Sequence, residues 1–151
     1  MTSNFEGQEG VAYCESNGFH FAAARIAEHL GTDDMQRTAV RNYLKANKLV
    51  SAARVLTKLG DNKAAHFTYI AAVMDSLNNK DYVGAARIQK ESGNIGAARQ
   101  LYATAIERSA IENNYWQTAM IAEEAGNQLE ARAYRELAKA EANKEETPEI
   151  I

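Results

Sequence analysis

The sequence predicts an all-α fold, a solenoid of about four antiparallel helix pairs. Three observations lead there. Ala is the dominant residue and β-branched residues are sparse, and Ala has the best intrinsic helix propensity. The tripeptide Ala-Ala-Arg occurs at Ala23-Ala24-Arg25, Ala52-Ala53-Arg54 and Ala85-Ala86-Arg87, each time before Ile26, Val55 or Ile88. Six residues past each Arg stands a glycine (Gly31, Gly60, Gly93), and Gly126 follows Thr118-Ala119-Met120-Ile121 in the same register, so the glycines recur at intervals of 29, 33 and 33 residues. That period belongs to helix-pair arrays rather than to bundles.

Taken in order, residues 1–17 form a cap segment in which Val11-Ala12-Tyr13-Cys14-Glu15 can make a helix over the open end of the first pair. The repeat domain follows at 18–143. Its first helices are expected near 19–30, 48–59, 82–92 and 115–125, and its second helices near 34–46, 62–77, 95–112 and 128–143. Each glycine closes a helix in the left-handed conformation that a side chain with Cβ resists, and Thr32-Asp33, Asp61, Asn94 and Asn127 are placed to accept from the free N–H groups of the next helix. Asn47, Asn78-Asn79 and Asn113-Asn114 mark the joints between pairs.

In the second helices the runs Gly60, Ala65, Tyr69, Ala72 and Gly93, Ala98, Tyr102, Ala105 share one spacing, and Gly126, Ala131 and Ala138 keep it. Small Ala beside a large ring lets helices approach while the ring fills the gap. Eleven residues before the glycines, His20, Leu49, Tyr82 and Tyr115 give each first helix its core contact. Beyond the last helix, residues 144–151 are charged, hold the single Pro148 and are read as a mobile tail.

This spacing resembles the tetratricopeptide repeat, whose pattern runs large residue, small residue, turn glycine, Ala, aromatic, Ala. The likeness covers roughly residues 18–143 in a divergent form: Ala-Ala stands where the family usually has Leu-Gly, its usual Tyr is replaced by Ala27, Leu56, Gln89 and Ala122, and Gln36 replaces a core Ala. The Ala-rich first helices also resemble the helix pairs of the soluble NSF attachment proteins. The resemblance implies a right-handed superhelix with the first helices lining its concave side. The expected partner-binding face then carries Arg25, Arg54, Arg87 and Met120, beside a row of Phe21, Val50, Val83 and Trp116, with Lys80 one step further out. The family's clamp for a terminal carboxylate uses Lys and Asn where Phe21, Val50 and Val83 stand here, so that ligand is not implied.

A row of Arg beside apolar groups suits an acidic, extended protein or peptide segment. The competing reading is a solvated face with local pairs such as Arg87 with Glu91. Either Tyr115 or Trp116 faces the groove, the other the core. Leu129, Tyr134 and Leu137 on the last helix have no following repeat to cover them, which makes a homodimer the alternative assembly.

Catalysis, metal and cofactor are not expected. His20, His29 and His66 have no neighbouring ligand set, no HExxH or CxxC occurs, and Cys14 has no activating partner in the sequence. Net charge of −3 lacks the footprint of a nucleic-acid or anionic-membrane binder. Met1-Thr2-Ser3-Asn4-Phe5-Glu6-Gly7 has no basic or apolar leader character, so a cytoplasmic adaptor or scaffold is expected.

Overall fold

In the computed structural model, which describes residues 2–145, every element among the described residues is an α-helix. In chain order these are α1 Thr2–Ser16, α2 His20–Leu30, α3 Asp33–Lys45, α4 Leu49–Lys58, α5 Asn62–Asn78, α6 Tyr82–Glu91, α7 Ile95–Ile111, α8 Tyr115–Glu124 and α9 Gln128–Glu145. The expected helix ranges hold to within two residues. Two expectations about the ends change: the cap segment is a fifteen-residue helix, and α9 continues through Lys144 and Glu145, where the tail was placed. Residues 146–151 of that tail lie outside the described residues.

The turns explain why these boundaries were legible. Gly31, Gly60, Gly93 and Gly126 all have φ between 75° and 87°. At Gly60 its own N–H donates to Thr57 O and the next N–H, of Asp61, donates to Leu56 O, the paired bonds that satisfy the last carbonyls of a helix. Gly93 and Gly126 repeat the pair, and so do the joints at Gly18, Asn47, Lys80 and Asn113. The following helix is then capped by Thr32, Asp61, Asp81, Asn94 or Asn114, each accepting from the N–H three residues on. Asn127 differs, donating its amide to Glu130.

The chain divides into two compact units, one ending at Asp75 and the next beginning at Ser76, inside α5. In the first, α1 packs on α2, α2 on α3 and α3 on α4. Its core joins Val11, Ala23, Ala24, Ala27, Ala39, Tyr43, Ala52 and Val55, with Cys14 at its edge. Ala supplies close approach and Tyr43 supplies volume; burying a group the size of Val55 is worth about 1.5–3 kcal/mol. Gly7 sets the distance of α1 from α2, because a Cβ there would stand 2.5 Å from Leu30 Cδ2. In the second unit α6, α7, α8 and α9 pack in succession around Ala86, Tyr102, Ala105, Ile106, Ile121, Ala122 and Ala131. Thr118 stands where the other first helices have Ala, and its buried hydroxyl meets Ser109 Oγ at 2.9 Å.

Candidate partner-binding surface

The first helices bury two consecutive positions, Ala23-Ala24, Ala52-Ala53, Ala85-Ala86 and Thr118-Ala119. A helix turned so that these face inward must turn the next residue outward. Arg25, Arg54, Arg87 and Met120 are accordingly exposed. One turn earlier Phe21 and Trp116 remain 49% and 53% exposed, whereas Val50 and Val83 are half-buried. Trp116 is thus the outward ring of its pair: Tyr115 is half-buried and stacks on Tyr134 with centroids 6.3 Å apart. Lys80 stands at the end of this face, where it lines one cleft with Val83. It occupies the turn before α6 at φ 59°, the position of Asn47 and Asn113 in their joints.

Arg87 is engaged within its own unit, the second. It donates from Nε to Glu124 Oε1 at 2.6 Å and from Nη2 to Oε2 at 2.7 Å, and the Tyr102 hydroxyl donates to Oε1 at 2.8 Å. The carboxylate that grips Arg87 therefore comes from α8, a partner that the four-residue spacing to Glu91 did not point to. The Arg87 hydrogen bond, aided by that from Tyr102, holds Glu124 below the usual carboxylate range against the opposing effect of burial. Tyr102 is pushed up to about 12 by burial and the Glu124 charge.

A similar arrangement forms in the first unit from different positions. Glu28 on α2 accepts from the Tyr43 hydroxyl of α3 at 2.6 Å and from Lys58 Nζ of α4 at 3.0 Å. The Tyr43 bond is the main cause of a lowered Glu28 pKa, and the charges of Lys58 and Arg25 add to it. Burial and Glu28 push Tyr43 up to about 12. Both clusters tie three helices through one carboxylate, and the second absorbs the charge of Arg87, which the sequence reading offered to a ligand.

A third polar network joins α1, α2 and α3. Asn42 is fully buried; its amide nitrogen donates to Glu15 Oε1 at 2.5 Å and to Thr38 O at 3.1 Å, and its Oδ1 lies 3.0 Å from His20 Nδ1. The Asn42 bond, with Arg41 and Lys45 nearby, lowers the Glu15 pKa against burial. Beside His20 is an open cleft of about 460 Å³ walled by Phe19, Phe21, Ala22, Lys45 and Ala46. Lys48 Nζ stands over the Phe21 ring, 5.6 Å from its centroid, in cation–π contact. The sequence placed Phe21 on the binding face, but His20, drawn inward by Asn42 from 22 residues away, gave no sign of this cleft.

Other exposed apolar groups lie on second helices. Leu129 and Leu137 are 83% and 47% exposed on α9, while Tyr134, expected beside them, is half-buried against Tyr115. Phe67, Ile70 and Met74 form an exposed line on α5. Between α7 and α9 a cleft of about 510 Å³ is lined by Arg99, Tyr102, Ile106, Glu107, Glu130 and Tyr134. Among the described residues no group of His, Cys, Asp and Glu is placed to hold a metal ion, and no helix is long and apolar enough to cross a membrane. Compared with known proteins, the chain matches no protein-family model, no curated protein and no solved structure.

Proposed function

We propose that the chain is a non-catalytic, cytoplasmic protein-binding module, a divergent tetratricopeptide-like right-handed solenoid of helix pairs. Each unit offers its own exposed first-helix face to a partner segment, α2 and α4 in one and α6 and α8 in the other. The observation that carries this reading is the pair Trp116 and Met120. They stand one turn apart on α8, 53% and 69% exposed, on a helix whose opposite side is fully buried. An indole and a thioether side by side in water are the anchors of an interface, where aromatic and Met side chains concentrate the binding energy. Phe21, 49% exposed on α2, is the corresponding anchor in the first unit.

Because Arg87 is neutralised by Glu124, the apolar anchors carry the affinity and the arginines bias the partner toward acidic flanks. The test is selection of displayed peptides against the full chain, followed by calorimetric titration of the selected peptides. Trp116→Ala or Phe21→Ala should weaken binding at least tenfold, about 1.4 kcal/mol, while Lys139→Gln on α9 changes nothing. Equal affinities for wild type, Trp116→Ala and Phe21→Ala would remove the reading. Exposed Leu129 and Leu137 support self-association as the second reading; sedimentation showing a dimer abolished by Leu129→Glu would favour it.

A further inference from the structure

The network around Asn42 fixes a proton. Its side-chain nitrogen faces a carboxylate, Glu15 Oε1, and a backbone carbonyl, Thr38 O, neither of which can donate, so that atom must be the NH₂ group and Oδ1 must face His20. His20 Nδ1 therefore carries the hydrogen in that contact. In the neutral imidazole, Nε2 is then a bare acceptor on the ring edge turned away from Asn42, with no hydrogen-bond partner among the described residues. A ring held this way at one nitrogen presents the other in a defined direction.

From this we propose that the cleft beside His20 is a specific pocket for a tyrosine side chain within an acidic segment of a protein partner, the phenol donating to His20 Nε2. The proposal rests on the partner-binding reading above and assigns its first-unit anchor a ligand. Three features select the occupant. Phe19 and Phe21, 57% and 49% exposed, offer ring faces and edges to an aromatic body. The polar side chains of the wall are Lys45, a donor, and His20, whose free nitrogen accepts, so a ring carrying a hydrogen-bond donor fits and a plain hydrocarbon leaves Nε2 unpaired. Lys45 on the wall and Lys48 over Phe21 supply positive charge for flanking carboxylates, since the nearby Glu15 is already bonded to Asn42 and Arg41.

The experiment uses the full chain, isotope-labelled, with two synthetic probes, acetyl-Glu-Glu-Tyr-Glu-Glu-amide and its Phe counterpart. Two-bond ¹H–¹⁵N spectra of the free chain at pH 7.5 should show the His20 proton on Nδ1. The Tyr probe should shift the His20 ring and the amides of Phe19, Phe21 and Ala22, and bind at least fivefold more tightly than the Phe probe. His20→Ala should erase that difference; because this variant also disturbs Asn42, the surface variants Phe19→Ala and Lys45→Gln, each weakening both probes, provide the independent check. A proton on Nε2, equal affinity for the two probes, or no shift with either would overturn the proposal. Shifts confined to α8 around Trp116 would overturn it too, while leaving the broader partner-binding reading intact.

Discussion

Arg87 and Glu124, 37 residues apart, meet through two parallel hydrogen bonds of 2.6 and 2.7 Å that tie α6 to α8. The contact is partly open to water, with the Arg87 side chain 63% exposed, so its net worth is that of a well-aligned surface pair and not of a buried one. Arg87→Gln should cost about 0.5–1 kcal/mol in urea unfolding. A double-mutant cycle with Glu124→Gln should recover most of that as a coupling energy. Zero coupling would show that the two side chains act independently in solution.

Acid should unfold the protein through three carboxylates. Glu15, Glu28 and Glu124 all have lowered pKa values in the folded chain, because Asn42, Tyr43 and Arg87 respectively bond their charged forms. A depressed folded pKa contributes stability that is complete above the unfolded value near 4.3 and is lost as pH falls through the folded one. The urea midpoint should therefore be level from pH 7 to about 5 and drop steeply below. Glu28→Gln combined with Glu124→Gln should flatten the drop; an unchanged acid slope would refute the assignment.

At the alkaline end the sign reverses. Tyr43 and Tyr102 are raised to about 12, so below the unfolded tyrosine value near 10 their stabilisation is intact, and it disappears as pH climbs toward 12. Ultraviolet titration of tyrosinate should show Tyr43 and Tyr102 ionising late, together with unfolding. Tyr43→Phe and Tyr102→Phe should each remove one late equivalent. All seven tyrosines ionising near 10 in a still-folded chain would contradict the burial of these hydroxyls.

The parts of this architecture that were legible in the sequence are those set by short-range chemistry. Helix ends at Gly31, Gly60 and Gly93 follow from φ > 0 at one residue and a cap at the next, and the outward Arg follows from the buried Ala pair before it. Contacts set by stacking were not legible: the spacing from Arg87 to Glu124, or from Tyr43 to Glu28, depends on how helices pass each other. The α1 helix was understated for a related reason. Gly7 and Gly10 lower its intrinsic propensity, and only packing against Leu30 and Ile26 reveals that their lack of a side chain lets α1 approach α2.

Lys80 supplies a prediction with an unusual sign. Its φ of 59° places a Cβ-bearing, non-Asn residue in the left-handed region, at the joint position occupied elsewhere by Gly18, Asn47 and Asn113. That conformation costs a residue with Cβ roughly 1–2 kcal/mol, and glycine escapes it at the expense of a more flexible unfolded chain. The turn's own bonds, Lys80 N–H to Leu77 O at 2.9 Å and Asp81 N–H to Ser76 O at 2.8 Å, are backbone and survive the change. Lys80→Gly should therefore stabilise by about 0.5–1 kcal/mol, raising the melting temperature by about 1–4 °C, where Gly93→Ala should destabilise by a similar amount. A destabilised Lys80→Gly chain would mean that the Lys side chain makes a stabilising contact outweighing its backbone strain.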